Sequence, residues 1–349
     1  MAKSRKVGII GHFGGKETFL DGQTVKTKIL HTELQNATDW NIRVVDTYYR
    51  SKNPVKLLWD TLACLCSCKD VFILLSGNGM RLYFPLMSLW ARLFGTRVYH
   101  DVIGGNLAGY VDKYPKYRNY LNAFRVNWVE TGVMKGNLEA RGITNAEVMP
   151  NFKRLNVVMP EQLQPIGEVA RFCTFSRVMK EKGIEDAANA VESINAKAGK
   201  TVCTLDIYGR IDDSYTAQFQ KLLDNATEAV KYCGMVPFDK SVEAISKYDA
   251  LLFPTYWDGE GFAGTIVDAF SAGLPVIATD WNCNGEIVAH KVDGILYPSD
   301  GIADLEAAIH WLLQDPNRAA EMKKACICSA QKYQPDAYIE KMVAFIEGR

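Results

Sequence analysis

The sequence predicts an α/β protein made of two doubly wound parallel-sheet domains, and three observations carry that expectation. Short runs rich in Val, Ile and Leu alternate with segments of helical periodicity. The alternation lapses once, over residues 151–165, and then restarts. The 349-residue length is also about twice that of a common domain.

In the first half, Lys6–Gly11, Ile42–Asp46, Val71–Leu75 and Arg97–His100 are short runs rich in β-branched residues and of strand length. Runs without polar alternation mark strands buried on both faces, as in a parallel sheet covered by helices. Val126–Glu130 and Glu147–Met149 read as two further strands. Asn151–Pro165 is polar and holds Pro160 and Pro165, which marks a linker. Beyond it, Ala170–Phe175, Thr201–Tyr208, Ala229–Tyr232, Ala250–Phe253, Pro275–Ala278 and Gly294–Tyr297 repeat the pattern. The expected domains are therefore residues 1–155 and 165–333. In open sheets of this kind ligands sit beyond the carboxyl ends of the strands, so a cleft between two facing domains is the expected site.

Composition narrows the class. With 48% apolar and 23% charged residues, the chain is globular. Its 40 basic and 40 acidic side chains cancel, which gives no reason to expect nucleic acid as a partner. The halves differ, because residues 1–165 hold 22 Lys and Arg against 13 Asp and Glu. A net +9 there either draws the first domain toward an anionic ligand or membrane surface, or reflects surface bias balanced by the acidic second half.

The nine cysteines are odd in number and mostly embedded in apolar runs, and no cleavable signal segment is evident. Free buried thiols in a reducing, cytoplasmic compartment are expected. Cys64, Cys66 and Cys68 lack zinc-site spacing and a nearby His, so core packing is expected there and no metal. The most apolar stretch, Leu82–Phe94, is interrupted by Pro85 and Arg92 and falls short of the ~18–20 residues of a membrane span. It reads as a core helix, with a position on a membrane surface, flanked by Arg81 and Arg97, as the alternative.

The most informative segment is residues 253–288. A strand ends at Pro254, a loop follows through Gly261, Phe262, Ala263 and Gly264, and a helix is expected from Thr265 to Ala272. The glycines let backbone approach a ligand, and the helix N-terminus offers unpaired N–H groups. Glu260 on the loop and Asp268 on the helix are placed to accept hydrogen bonds from the vicinal hydroxyls of a sugar and a ribose.

This segment resembles the retaining glycosyltransferases of family 4, on Pro254, Glu260, Gly261, Phe262, Ala269, Gly273, Pro275–Ala278 and Gly285–Val288 in fixed order. Two positions depart from the family pattern. Ala263 stands for the usual Gly, and Asp268 for the second Glu of a paired motif. The resemblance implies a GT-B fold, two Rossmann-like domains facing across a cleft, and a terminal helix of about 334–349 packed back on the first. It gives donor-sugar recognition to Glu260 and ribose recognition to Asp268. The Gly261–Thr265 turn would hold the rest of the donor.

Thr174–Arg177 followed by Lys180–Ile184 looks like the family's basic element, with Ser176 in place of Gly. Arg177 would fork to the donor diphosphate and Lys182 would act as a point charge. His100, at a strand end, resembles the family's His beside the transferred sugar. In the first domain either Gly14–Gly15 or Gly22–Gln23 supplies the glycine loop toward the donor. Met149–Pro150–Asn151 resembles the element that closes the first domain.

The implied activity is metal-independent, cofactor-free transfer of a hexose-type sugar from a nucleotide-sugar. UDP-sugars are the default donor and a glycan or lipid-linked molecule the acceptor. Polysaccharide biosynthesis at the inner face of a membrane fits this reading. A nucleotide-sugar epimerase and a non-catalytic nucleotide-sugar-binding partner subunit are the alternatives.

Overall fold

The apolar runs become strands, and the periodic segments between them become the helices that cover both faces of each sheet. The computed structural model describes residues 4–17, 19, 21–298 and 301–349, which divide into two units: residues 1–152 with 335–349, and residues 153–334.

The first unit runs β1 (Lys6–Gly11), α1 (Gly22–Ala37), β2 (Asn41–Asp46), α2 (Tyr49–Lys52), α3 (Pro54–Ser67), β3 (Asp70–Leu74), α4 (Gly77–Phe94), β4 (Arg97–Asp101), α5 (Leu107–Lys113), α6 (Lys116–Leu121), β5 (Val126–Val129), α7 (Gly132–Glu139) and β6 (Ala146–Val148). All strands are parallel, in the order β2-β1-β3-β4-β5-β6. The chain therefore changes winding direction between β1 and β3, and the loops after those strands diverge to leave a crevice. Local chemistry fixes the helix starts. Asp21 caps α1 by accepting from Thr24 N, and Asn53 caps α3 with Pro54 in its first turn. The C-terminal helix, Pro335–Glu347, closes this unit by placing Ile339, Met342, Val343 and Ile346 against Leu30, Leu34 and Trp40.

The second unit runs β7 (Ala170–Phe175), α8 (Ile184–Ala198), β8 (Cys203–Tyr208), α9 (Thr216–Asn225), β9 (Val230–Gly234), α10 (Ser241–Ile245), β10 (Ala250–Phe253), α11 (Gly264–Ser271), β11 (Val276–Thr279), α12 (Asn284–Ile287), β12 (Gly294–Tyr297), α13 (Ile302–Leu313) and α14 (Pro316–Gln331). Its parallel sheet has the order β12-β11-β10-β7-β8-β9, which puts the change of winding between β7 and β10. Residues 153–165, expected as a free linker, pack on this unit instead. Val158 N donates to Ser271 O at 2.8 Å, and Leu155 and Val157 lie against the core. Their apolar side chains, spaced among polar ones, gain burial that the proline content alone does not reveal.

The Leu82–Phe94 stretch is helical but only half enclosed. Tyr83, Phe84 and Met87 are buried, whereas Leu82, Leu89, Leu93 and Phe94 are exposed. Among the described residues no helix is long and apolar enough to cross a membrane. Six of the nine cysteines are buried, with Cys66, Cys233 and Cys328 exposed, and all nine are free thiols.

Candidate active site

The second sheet changes winding between β7 and β10, and the two motif-bearing loops leave from those neighbouring strands. Arg177 and Lys182 follow β7, and residues 254–263 follow β10. The loops are held together by backbone. Tyr256 N donates to Glu181 O at 2.9 Å, and Gly183 sits so close that an added Cβ would lie 2.1 Å from Pro254 O. With φ +67° at the start of α8, Gly183 meets a steric and a conformational demand at once.

That contact joins the two charges. Lys182 Nζ is ion-paired with Glu260 Oε2, and both side chains are buried. Thr255 Oγ1 donates to the same carboxylate oxygen at 3.1 Å. The ammonium also lies over the rings of Trp257, at 4.9 Å, and Phe253, at 5.4 Å. Burial pulls the Lys182 ammonium below the usual lysine range, and the Glu260 carboxylate only partly restores it. A buried pair of this kind keeps each charge conditional on the other.

Arg177 is different. Its side chain is 47% exposed, and the guanidinium lies 5.5 Å from the Trp257 ring centroid and reaches Asp212 only at 3.8 Å. It is therefore a weakly committed cation at the edge of the same loop pair. The loop itself is braced from the segment after β11, where Trp281 Nε1 and Asn282 Nδ2 both donate to Trp257 O, at 3.1 and 3.3 Å. Asn282 adopts φ +47°, a conformation Asn tolerates better than most residues.

Gly261, Phe262 and Ala263 lead into α11, which starts at Gly264, one residue before the expected Thr265. Phe262 packs edge-on against Tyr333, with centroids 5.1 Å apart, and this contact anchors the turn. Ala263, at the cap position, supplies no side-chain hydrogen bond, so the first N–H groups of α11 gain no cap from it. Thr265 Oγ1 donates to Phe175 O at 2.5 Å and ties the helix start to the end of β7. Asp268, one turn along and buried, accepts from Lys153 Nζ at 2.5 Å and from Ser241 Oγ at 2.7 Å. Sequence reading missed both partners. Lys153 lies 115 positions from Asp268 and no local spacing joins them. The signal available was the loss of one methylene at the second acidic position, which makes room for a neighbour.

In the first unit Gly14 and Gly15 carry φ of +88° and +58°, and Asp46 gathers their loop by accepting from Phe13 N at 2.9 Å and Gly15 N at 2.8 Å. Gly22 is an ordinary first-turn residue with open space around it. Of the two glycine pairs, the left-handed turn after β1 is thus Gly14–Gly15.

His100 lies in the interior of the first unit. Expected beside a ligand, it is fully buried within the first unit, with Nδ1 3.0 Å from Asn127 Oδ1 and its ring edge-on to Phe84 and Phe124. Burial holds its imidazole down at about 4, so it is neutral at pH 7. The next residue, Asp101, faces an ion pair with Lys26 at 2.7 Å, and Lys26 also donates to Glu130 at 2.8 Å. Alternation along β4 sends His100 toward Phe84 and Phe124 and Asp101 toward Lys26, and His100 Nε2 is buried with no hydrogen-bond partner among the described residues.

Among the described residues no group of three or more His, Cys, Asp or Glu is placed to hold a metal ion. The second unit presents two cations, a buried carboxylate and an uncapped helix start at the switch point of its sheet.

Residues 170–315 match the family described as "Glycosyl transferases group 1". The match falls within the second unit and takes in both motif-bearing loops. Glycogen synthase of Mycobacterium tuberculosis is 25% identical over 149 residues, covering 43% of this chain and 35% of that protein. The amylovoran biosynthesis glycosyltransferase AmsK of Erwinia amylovora is 26% identical over 178 residues, covering 49% and 41%. The matched stretches thus span less than half the length of these curated relatives. Among solved structures, HepE of Anabaena in complex with UDP and glucose matches with a TM-score of 0.76 at 12% identity, over 99% of this chain and 100% of that one. The fold is GT-B, and the residues that match the family model hold β7–β12 and the loops just described.

Proposed function

We propose that this protein is a retaining glycosyltransferase that moves a hexose-type sugar from a UDP-sugar to a glycan or lipid-linked acceptor without a metal. One observation carries the reading: the Lys182–Glu260 ion pair at the β7–β10 switch point, beside Arg177 and the start of α11. The donor diphosphate takes Arg177 and Lys182 as its cations, together with the N–H groups of Gly264 and Thr265. When Lys182 turns to phosphate, Glu260 is released toward the hydroxyls of the donor sugar. Recognition of the diphosphate thereby exposes the carboxylate that reads the sugar. Asp268, oriented by Lys153 and Ser241, accepts from the ribose.

In the reaction the bond from the sugar C1 to the phosphate oxygen breaks and one from C1 to the acceptor oxygen forms on the same face. The acceptor proton passes to the leaving phosphate oxygen. The two cations stabilise the charge that develops there. The first unit, with Gly14–Gly15 after β1, takes the acceptor, and its basic surface holds the enzyme at an anionic membrane.

The test is a panel of nucleotide-sugars scored for thermal stabilisation and for hydrolysis, before and after exhaustive chelation. A UDP-sugar should raise the melting temperature and turn over equally in both conditions. Stabilisation by a donor with no turnover would make the chain a non-catalytic nucleotide-sugar-binding subunit, and no shift with any donor would refute the donor reading. Rescue of activity by a divalent ion alone would refute metal-free transfer. Conversion of a nucleotide-sugar to its epimer without an acceptor would favour the epimerase.

A further inference from the structure

The first unit has a cavity of about 700 Å³ that the donor site does not use. It opens where β1, β2 and β3 end, at the change of winding in that sheet, and is lined by residues from the loops after those strands and from α2, α3 and α4. Three features define its chemistry. Arg50, Lys52 and Arg81 line it against a single acidic side chain, Glu17, which is already bonded to Tyr48 Oη at 2.5 Å. Tyr48 and Tyr110 give it aromatic walls of the kind that stack on sugar rings. Arg81 Nη2 bonds Tyr114 Oη and its guanidinium lies 5.1 Å from that ring centroid, which holds the cation at the mouth.

The same helices carry an unusual outer surface. On α3, Val55, Leu58, Trp59 and Leu62 recur at the spacing of one helical face and are exposed, Val55 at 77% and Trp59 at 73%. On α4, Leu82, Leu89, Leu93 and Phe94 are likewise exposed. Thr61 Oγ1 lies 3.0 Å from Tyr83 Oη, so the two helices are in direct contact. Their basic side chains are Lys56, Arg81 and Arg92, with Asp60 the lone acid. An apolar surface with cations at its edge and a Trp on its face matches the interface of an anionic bilayer.

We infer that this cavity binds the phosphorylated head of a lipid-linked acceptor while the outer faces of α3 and α4 rest in the membrane that holds its tail. The inference deepens the acceptor half of the function proposed above and rests on it. Charge complementarity selects the phosphate, and continuity of the cavity-lining helices with the apolar surface selects a lipid over a soluble sugar phosphate.

The experiment measures co-sedimentation of the full chain with phosphatidylcholine vesicles carrying farnesyl diphosphate, farnesol or phosphatidylserine. Binding to the farnesyl diphosphate vesicles should exceed the other two by about tenfold, because only a diphosphate head can pair with Arg50, Lys52 and Arg81 inside the cavity. Arg50→Ala with Arg81→Ala should remove that preference. Leu58→Ser with Trp59→Ser should weaken vesicle binding about tenfold while leaving competition by inorganic diphosphate intact.

Equal binding to phosphatidylserine vesicles would reduce the cavity to surface charge, and equal binding to farnesol would remove phosphate recognition. Glucose 1-phosphate binding as tightly as the lipid would overturn the lipid assignment. Stabilisation by UDP, which reports on the second unit, serves as the folding control for every variant. Loss of nucleotide binding in the native chain with vesicle selectivity intact would overturn the donor reading and spare this one.

Discussion

Replacing Glu260 with Gln removes one charge from the site and almost no volume. The amide oxygen can still accept from Thr255 Oγ1, now 3.1 Å away, so the loop retains a hydrogen bond. Breaking a buried pair by deleting one partner costs about 3–5 kcal/mol at most, and here Lys182 can shed its proton, which limits the loss to about 1–3 kcal/mol. The effect on chemistry should be larger. If the carboxylate engages the donor sugar as its bond to phosphate breaks, loss of that contact should lower kcat by about 10²–10³-fold, or about 2.7–4 kcal/mol. Free UDP does not need the carboxylate, and its phosphate charge favours the protonated Lys182 at neutral pH, so its affinity there should change only a few fold.

The same substitution has a pH signature. Burial already lowers Lys182, and Glu260 is what opposes it. Without the carboxylate the lysine becomes neutral at lower pH, and a neutral lysine does not hold a diphosphate. UDP affinity in Glu260→Gln should therefore fall as pH rises through the alkaline range, while the native chain keeps its affinity to higher pH. Calorimetric titration of UDP against pH, with kcat from donor hydrolysis, reads both. The reasoning fails if turnover stays within a few fold, or if UDP binding is lost at neutral pH while turnover survives.

Three further outcomes are expected. Arg177→Ala should weaken UDP binding at least tenfold yet change stability by less than about 0.5 kcal/mol, because its present partners are weak, and denaturant unfolding beside UDP titration separates the two. Asp268→Asn should weaken UDP binding and also destabilise the fold by about 1–3 kcal/mol, since Lys153 and Ser241 lose their shared carboxylate; Asp268→Glu should destabilise through overpacking, so retention of native stability would refute the buried pairing. For His100 the folded value of about 4 lies below the ordinary 6.5, so the unfolded chain binds the proton first and the native state loses about 3 kcal/mol as pH falls from 6.5 to 4. Replacing His100 with Gln should flatten that limb of the stability profile, and an unchanged slope would contradict the burial.

The sequence by itself determined the two parallel sheets, because strands buried on both faces must be continuously apolar and the helices between them periodic. It also determined the loop chemistry of the second unit, where Arg177 and Lys182 follow one strand and Glu260 and Gly261 another. These features are local, and local pattern reports them.

Pairing across the chain was decided only in three dimensions. The strand order puts β7 beside β10, and so Lys182 against a carboxylate 78 positions away. Lys153 likewise finds Asp268 only because residues 153–165 pack on the second unit. The His100–Asp101 pair shows the converse. Its position at a strand end was legible, but whether a strand-end side chain meets a ligand or a packed layer depends on the pleat and on what lies above it. Phe84 and Phe124 enclose His100, and Lys26 on α1 claims Asp101. Periodicity reports which residues avoid water, whereas tertiary packing decides which buried polar groups become partners.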